Sequence, residues 1–434
     1  MFSSFPVLKT PARLSFLQKV ILIFLFIDPL IRLFLFIRQT FYLSSLSFPA
    51  TFLQHKIFKD EAEWVLRTRL HMLIMGLDFL CTSLLTCLYA AVVYYGLMTW
   101  ILEVPARKMF PRYIPPIDEC PTLLGELFCA LNFFILEDAF HFVVFLPCTI
   151  LKLYMLDLPD DKENGSGVPV MKIIMYLIPS IGGLTKAGFI TIYHLVPKIW
   201  PFANLLSNLV ISSALYLAFY FLHRSCPNPT DEFGEKVTAL AQKVGFDPQN
   251  IFVDQGTSSI PNAYQFTGFF GLYHHIVFSK GLLNILNIEQ SISVLGHELG
   301  NWAMSHWLNP TIIEFSYEFV LIMAFALFAR PSLYKALGWD NSKNKTPWLV
   351  MFLSISFLLS AMDTFTKYLI TVLVHLGEYQ ADAYGAGLNS KESMIDMMWK
   401  LMEMGREQSD GLVSWLTRTH PTSEERIRAL GGVI

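Results

Sequence analysis

The sequence predicts an all-α multi-pass membrane protein that carries one smaller polar domain. Of its 434 residues, 53% are hydrophobic and 15% are charged, whereas about 25% are charged in a typical soluble chain. Long apolar runs recur, and two polar segments, 223–308 and 376–434, contain most of the other residues. The net charge of −3 is close to balance and therefore suggests no nucleic-acid partner.

Seven stretches are long and apolar enough to be membrane-spanning helices. A bilayer core of about 30 Å requires roughly 20 apolar residues per helix. The predicted spans are 14–37, 71–102, 123–151, 171–199, 202–222, 309–331 and 347–375. The chain therefore divides into four parts: 1–222 with five spans, 223–308, 309–375 with two spans, and 376–434.

The third span contains ionisable residues in its middle. Glu137, Asp138 and His141 lie in the stretch FFILEDAFHF. Such groups are costly in lipid and must face partners or water. They either form an internal hydrogen-bond network or line a polar interior.

The two polar segments are expected to meet on one face of the membrane. Two spans separate them, and an even number of crossings returns the chain to the same side. The first interhelical loop is predicted on that face as well, and its basic residues favour the cytosol by the positive-inside rule. These residues are Lys56, Lys59, Arg67 and Arg69.

A small sheet and one helix are predicted in the first polar segment. Residues 250–254, 262–266 and 274–279 are typical of short strands separated by turn residues. Asn287 followed by Gln290 has the spacing of a capping box, which predicts that a helix begins there.

The helix contains an incomplete metal motif, SVLGHELGNW. In H-E-x-x-H, two imidazoles one helical turn apart bind zinc, and the glutamate activates a water molecule. Here His297 and Glu298 are present, but Asn301 stands at the position of the second histidine. Four residues advance a helix by about 400°, so His297 and Asn301 share a face.

Two later motifs supply further polar groups. Glu378 and Asp382 are one turn apart in GEYQADAYGAG. A carboxylate from a second helix can complete a zinc site, and another acid can accept a hydrogen bond from a ligand imidazole. His420 and Arg426, in THPTSEERIRAL, could polarise a carbonyl group and hold the carboxylates in place.

These motifs together resemble the integral-membrane zinc CAAX prenyl protease family. SIPNAYQFTGFF, SVLGHELGNW, GEYQADAYGAGL and THPTSEERIRAL match the family in order and spacing. Each motif alone could be a set of solvated surface charges, but four in order are far more specific. The resemblance implies seven helices around a water-filled chamber, capped by a helix-rich zinc metallopeptidase domain with a small β-sheet. It also implies an endoplasmic reticulum location, a cytosolic zinc domain and prenylated C-terminal tails as substrates.

The resemblance implies a role for each matching residue. One Zn²⁺ would be bound by His297 and Glu378, with Asn301 in the place of the second imidazole. Glu298 would be the general base, and Asp382 the acceptor behind a zinc ligand. His420 would stabilise negative charge on the substrate, and Arg426 would organise the acids. An edge strand containing Asn262, Ala263 and Tyr264 would bind the substrate backbone by β-augmentation.

Another group could replace the missing imidazole. His306 lies nine residues after His297, about 900° around an ideal helix, which places it on the opposite face and excludes it. His375 precedes Glu378 by three residues and could turn towards the metal. Asn301 itself offers a neutral amide oxygen, a poor zinc ligand beside imidazole.

Two functional classes therefore remain open. The first is a zinc endopeptidase that cleaves prenylated tails, with activity reduced or abolished by Asn301. The second is a catalytically inactive chamber protein that binds such tails, or clears stalled membrane segments, without hydrolysis. A transporter would explain the spans but not the four motifs.

Overall fold

In the part of the chain that the structure describes, the secondary structure is mostly helical, with one small sheet. The computed structural model describes residues 14–97, 137, 141, 143–147, 149–151, 232–254, 261–268, 273–328, 330–339, 348–405 and 409–432. The helices within these ranges are α1 (Phe16–Ser45), α2 (Ala50–Gln54), α3 (Glu61–Tyr95), α4 (Glu232–Val244), α5 (Lys280–Ile285), α6 (Ile288–Ala303), α7 (Leu308–Phe328), α8 (Pro331–Ala336), α9 (Trp348–Leu388), α10 (Lys391–Gly405), α11 (Gly411–Thr417) and α12 (Ser423–Ala429). The strands are β1 (Ile251–Asp254), β2 (Ala263–Gly268) and β3 (Tyr273–Ser279).

Four candidate membrane spans lie in the described part of the chain. They are α1, α3, α7 and the stretch Val350–Leu388 of α9. They correspond to the spans predicted at 14–37, 71–102, 309–331 and 347–375. The spans predicted at 171–199 and 202–222, and most of 123–151, lie outside the described residues.

Helix α9 continues past the end of the last predicted span. The boundary expected between 375 and 376 falls inside this helix, which ends at Leu388. Glu378 and Asp382 are therefore attached to the same rigid element as the apolar stretch before them. A helix fixes the positions of these two side chains more firmly than a loop that followed the last membrane span would.

The chain forms two compact units. The first contains the described residues within Met1–Ile37, Arg69–Ser207 and Ser316–Phe365. Its core consists of apolar side chains from α1, α3, α7, α8 and α9. It also contains an ion-pair cluster, in which Arg32 Nε donates to Asp28 Oδ2 (2.6 Å) and Arg32 Nη1 donates to Asp78 Oδ2 (2.8 Å).

Two of the ionisable residues predicted in the third span share a partner in this unit. The Tyr89 hydroxyl donates to Glu137 Oε1 at 3.0 Å. The same hydroxyl oxygen lies 3.3 Å from His141 Nε2. These contacts form a hydrogen-bond network, one of the two alternatives left by the sequence; Asp138 lies outside the described residues.

The second unit contains the sheet and the polar motifs. It comprises the described residues within Arg38–Thr68, Asn208–Phe315 and Thr366–Ile434. Apolar side chains from α4, α6, α10 and the strands form its core. Phe52, Ile57 and Phe58, between α1 and α3, are also buried in this cluster. These three residues lie outside the two polar segments, 223–308 and 376–434, from which the sequence predicted this domain.

The sheet has the strand order β1-β3-β2, so β2 lies at one edge. β1 is parallel to β3, with Ile251 opposite Ile276, and β2 is antiparallel to β3, with Ala263 opposite Phe278. The strands lie within two residues of the predicted bounds. Ile276, Val277 and Phe278 of the central strand are fully buried.

A close helix crossing brings α6 against α9. A Cβ atom added at Gly300 would lie 2.9 Å from the Cα atom of Ala381, closer than side chains pack. Glycine at this position therefore permits the approach of the two backbones. The crossing places His297, one turn before Asn301, opposite the acidic residues of α9.

Candidate active site

Helix α6 carries His297 and Glu298 into the interior of the second unit. The Asn287 side chain accepts from the Gln290 backbone, and the Gln290 side chain accepts from the Asn287 backbone, so the predicted capping box is confirmed. Residues 291–300 of the helix are all buried. The metal motif therefore lies in a rigid, desolvated part of the domain.

The two nitrogens of the His297 imidazole face two carboxylates of α9. Nδ1 lies 2.8 Å from Asp382 Oδ1, and Nε2 lies 3.6 Å from Glu378 Oε2. An Nδ1–H that donates to Asp382 leaves the lone pair of Nε2 towards Glu378. This is the orientation in which an imidazole binds a metal while a carboxylate fixes its tautomer.

Arg426, in α12, holds the acidic residues in place. Its Nε donates to Asp382 Oδ2 at 2.7 Å, and its Nη2 donates to Asp382 Oδ1 at 2.5 Å. Nη1 lies 3.4 Å from Glu378 Oε2. A capping box between Thr422 and Glu425 begins this short helix. Burial by itself lowers the pKa of Arg426, but Asp382 and Glu378 outweigh it and raise that pKa above its ordinary value.

The charge of His297 depends on these carboxylates. Burial by itself lowers the pKa of the imidazole, whereas Glu378 and the hydrogen bond to Asp382 raise it, with a net value of about 8. In the absence of a metal, the ring therefore carries a proton at neutral pH. A bound cation would replace that proton, because metal ligands are deprotonated.

Glu298 follows His297 in the metal motif and is also buried. Burial raises the pKa of its carboxyl group above the ordinary value, and the nearby His297 partly offsets this rise. The nearby Asn301 side chain also offsets part of this rise in pKa. A carboxyl group with a raised pKa next to a metal site suits proton transfer.

His420 reaches the site from the loop before α12. Its Nδ1 lies 3.0 Å from Glu378 Oε1, and its side chain is 64% exposed. The ring thus contacts the acidic site on one side and solvent on the other. A substrate carbonyl group could approach this imidazole without displacing a buried residue.

Two of the residues present, His297 and Glu378, are placed so that both could bind one metal ion. Glu378 Oε2 is buried and has no hydrogen-bond partner among the described residues. It lies 3.6 Å from His297 Nε2, close to the roughly 3.4 Å expected between two ligands of a tetrahedral zinc with bonds of about 2.1 Å. Within the described ranges, no group of three or more His, Cys, Asp or Glu residues could hold a metal ion. The third such side chain is missing at position 301, where asparagine stands in place of the second histidine of the motif.

The two histidines considered as replacements have different surroundings. His375 is fully buried, its Nε2 donates to the Arg418 carbonyl oxygen at 2.9 Å, and its ring packs on Trp415. These contacts hold the His375 side chain against α11 and the loop that follows it.

The prediction that His306 lies on the face of the helix opposite His297 was wrong. α6 ends at Ala303, and Ser305 has a φ of 52°, so the chain turns back before residue 306. His306 Nδ1 lies 3.0 Å from Asn301 Oδ1, and its Nε2 lies 3.0 Å from Gln380 Oε1. Extrapolating an ideal helix to residue 306 failed because the helix had already ended. Burial lowers the pKa of His306.

The three residues expected to bind the substrate backbone lie at the edge of the sheet. Ala263 and Tyr264 belong to β2, and Asn262 immediately precedes it. The Asn262 backbone N–H donates to Ser279 Oγ at 2.8 Å, and its carbonyl oxygen accepts from the Ser279 N–H. Both bonds join this end of β2 to β3.

Comparisons with known proteins find a family match and several similar relatives. Residues 227–434 match the model of peptidase family M48. CAAX prenyl protease 1 of Saccharomyces cerevisiae is 27% identical over 274 residues, covering 58% of this chain and 60% of the yeast protein. The CAAX prenyl protease 1 homolog of Homo sapiens is 28% identical over 306 residues, covering 61% of each chain. The Arabidopsis thaliana homolog is 22% identical and covers 79% of this chain and 81% of its own length. The chain thus spans about three fifths of the yeast and human relatives.

A solved structure has the same fold. The crystal structure of S. mikatae Ste24p matches with a TM-score of 0.69 and 20% sequence identity, covering 96% of this chain and 100% of that one. At this identity the likeness concerns the fold alone. The match of residues 227–434 to peptidase family M48 and the similarity to CAAX prenyl protease 1 relatives support the integral-membrane CAAX prenyl protease family for this chain.

Proposed function

We propose that this chain is a zinc endopeptidase of the endoplasmic reticulum membrane that removes C-terminal residues from prenylated CAAX proteins, with activity lowered by Asn301. The observation that carries the proposal is the pair of buried atoms His297 Nε2 and Glu378 Oε2, 3.6 Å apart, with no hydrogen bond to the oxygen among the described residues. Relatives named CAAX prenyl protease 1 support the substrate class.

The side chains divide the chemistry between them. Zinc, when bound, would supply Lewis-acid activation of a water molecule. Glu298 would act as the general base that takes a proton from the attacking water and passes it to the leaving amine, a role for which its raised pKa is suited. His420 donates a hydrogen bond to the carbonyl oxygen on which negative charge develops. Asp382 and Arg426 keep His297 and Glu378 in position.

The substrate peptide would bind as an added strand. β2 is an edge strand of the described sheet; it begins with Ala263 and Tyr264, and Asn262 immediately precedes it. Main-chain hydrogen bonds to such an edge bind many sequences equally well. The prenyl group would add about 0.8 kcal/mol for each buried CH₂. A prenylated tail therefore suits a strand edge combined with an apolar cavity.

The membrane part is proposed to have seven spans around a water-filled chamber, with the zinc domain in the cytosol. Four apolar helices and the likeness in fold to Ste24p support the multi-pass arrangement. Single cysteines introduced at the exposed Gln242 and Glu392, in a chain without other accessible cysteines, test the orientation. Both should react with an impermeant thiol reagent from the cytosolic side; labelling from opposite sides would exclude it.

Asn301 favours a second candidate function. An amide at the position of a zinc imidazole is a weak ligand. The chain could then bind prenylated tails, or clear stalled membrane segments, without hydrolysis.

Purified protein in zinc-supplemented detergent distinguishes these functions. A farnesylated CAAX peptide and its unmodified twin are offered to the wild-type chain and to Glu298→Gln, and both zinc content and cleavage are measured. The enzyme proposal expects bound zinc and slow cleavage of the farnesylated peptide that Glu298→Gln abolishes. Tight binding of the farnesylated peptide without cleavage supports the second function. Equal binding of the two peptides contradicts the proposed substrate class.

A further inference from the structure

His375 connects helix α9 to the loop that carries His420. It lies on α9 three residues, about one turn, before Glu378, and its side chain is fully buried. Its Nε2–H donates to the backbone carbonyl oxygen of Arg418 at 2.9 Å. Arg418 directly follows α11 and precedes His420 by two residues. The contact therefore joins the helix that carries Glu378 to the loop that carries His420.

This contact and the packing around it determine how the His375 ring is oriented. A carbonyl oxygen can only accept a hydrogen bond, so Nε2 must carry the proton. Nδ1 is buried and has no hydrogen-bond partner among the described residues. The ring packs on Trp415 of α11, with 5.5 Å between the ring centroids, and the Tyr379 ring packs on the same indole at 6.0 Å. Helix α11 is thus held against the turn of α9 that carries Glu378.

Glu425 fixes the other end of the same loop. Its Oε2 accepts from the Thr422 backbone N–H at 2.8 Å and from the Thr422 hydroxyl at 3.0 Å. The hydroxyl of Ser414, on α11, donates to the same oxygen at 2.6 Å. Both Ser414 and Thr422 are buried. The loop between α11 and α12 is therefore closed by these bonds, and the His375 contact attaches its first residue to α9.

The position of His420 depends on the backbone of this loop. The His420 side chain is 64% exposed, and its Nδ1 lies 3.0 Å from Glu378 Oε1. An exposed side chain can occupy several rotamers, whereas a catalytic group must be held within about 0.5 Å of its working position. His420 lies midway between Arg418 and Thr422, so fixing the backbone at both residues limits the places that its imidazole can reach.

We propose that His375 is a positioning residue of the reaction. By holding the carbonyl group of Arg418, it keeps the His420 imidazole beside Glu378, where the ring can stabilise negative charge on the carbonyl oxygen of the scissile bond. His375 itself touches neither the substrate nor the metal. The inference rests on the proposed peptidase function and on the role of His420 in it. It gives His375 a role different from that of a replacement zinc ligand.

A double-mutant cycle between positions 375 and 420 tests this role. All proteins are full-length and carry Asn301→His, so that cleavage of a farnesylated peptide is measurable. His375→Leu removes the N–H group at similar volume. It should lower kcat by at least about 10-fold with little change in KM, because a misplaced catalytic group slows the chemical step. In proteins that also carry His420→Ala, the same substitution should change kcat by less than about twofold.

Two further substitutions separate the hydrogen bond from the packing of the ring. In His375→Gln, the amide nitrogen can reach the Arg418 carbonyl oxygen in place of Nε2, so kcat should stay within about threefold of the parent. His375→Asn carries the same amide on a side chain shorter by one CH₂ group, and it should be as slow as His375→Leu. Zinc content should be equal in all these proteins. If His375→Gln is as slow as His375→Leu, the hydrogen bond to Arg418 is not the cause and the inference is overturned.

Hydrogen exchange gives a measurement that requires neither zinc nor cleavage. In the chain that retains Asn301, His375→Leu should speed exchange of the backbone amides of residues 418–422 by at least about 10-fold, because a protecting contact of the loop is lost. His375→Gln should not do so. Neither should the control His274→Leu, which removes a partly buried histidine that contacts Thr267 in the sheet. Unchanged exchange in His375→Leu would contradict the inference.

The two proposals fail in different ways. If no protein binds zinc or cleaves the peptide, including those that carry Asn301→His, the proposed enzyme function fails. If these proteins cleave, but His375→Leu slows cleavage equally with and without the His420 imidazole, the peptidase function stands. His375 would then only stabilise the fold, and its positioning role would be excluded.

Discussion

Nε2 of His297 and Oε2 of Glu378 lie 3.6 Å apart across the α6–α9 crossing, and the oxygen has no hydrogen-bond partner in the described structure. Arg426 Nη1 lies 3.4 Å from the same oxygen and pairs with its charge without a hydrogen bond. One cation between Nε2 and Oε2 could bind both atoms, which is the arrangement expected of two zinc ligands.

The first prediction concerns Asn301→His. The substitution adds an imidazole on the face shared with His297, at the position where the zinc motif lacks a ligand. Cleavage of a farnesylated peptide should rise by at least about 100-fold, because the metal site gains a ligand. Peptide affinity should change little, since β2 is untouched. Equal cleavage rates would show that the wild-type coordination is already complete.

The second prediction concerns Asp382→Asn. Asp382 accepts from His297 and from two nitrogens of Arg426. Its neutralisation should weaken zinc binding by about 10 to 100-fold. It should also destabilise the protein by about 3 kcal/mol, because the Arg426 charge stays buried without its main partner. Chelator competition and thermal unfolding measure the two effects.

A matched control is Asp396→Asn. Asp396 is an exposed residue of α10, outside the set of residues that form the site. Its neutralisation should change neither zinc affinity nor the unfolding midpoint. If the two aspartate variants behave alike, the contacts of Asp382 do not stabilise the site.

The local motifs could be predicted from the sequence because helical spacing is regular. Once a helix begins at the Asn287 capping box, His297 and Asn301 must share a face, and Glu378 and Asp382 must do so on α9. Long apolar runs likewise predict spans, because the bilayer thickness sets their length.

Features that depend on helix ends and on distant contacts could not be predicted in the same way. Nothing in the local sequence indicates that Ser305 adopts a positive φ, so His306 was placed on the wrong face. The burial of Phe52 and Ile57 in the core of the second unit results from packing against residues about 200 positions away. The packing role of the glycines at 300 and 377 can be seen only from the residues that face them in the folded chain.

The third prediction tests the helix crossing. In Gly300→Ala, the new Cβ would lie 2.9 Å from Ala381 Cα and 3.0 Å from its carbonyl oxygen. Because both neighbours are backbone atoms, α6 must move, at a cost of about 1–3 kcal/mol. The same movement should weaken zinc binding, since it separates His297 from Glu378. Gly387→Ala is the control: its Cβ meets nothing within 4 Å, and it should stabilise α9 by up to about 1 kcal/mol.

The last prediction concerns the pH dependence of the metal-free protein. The pKa of His297 is raised from 6.5 to about 8 by the carboxylates around it. A group whose pKa is higher in the folded state contributes stability that is fully present below the unfolded pKa and is lost as the pH rises through the folded one. For His297 this contribution should be about 2 kcal/mol and should disappear between about pH 6.5 and 8. Unfolding in the presence of a chelator, compared between wild type and His297→Gln, isolates it from the other titrating groups. A stability difference between these proteins that does not change over this range would contradict the assignment.

Zinc should reverse the sign of this dependence. A metal ligand must be deprotonated, so zinc competes with the proton on His297. The stabilisation produced by a fixed zinc concentration should therefore increase as the pH rises towards about 8, where the proton is lost without the metal. The metal-free protein loses stability over the same range. Since the two trends arise from one proton on one imidazole, both should be absent from His297→Gln.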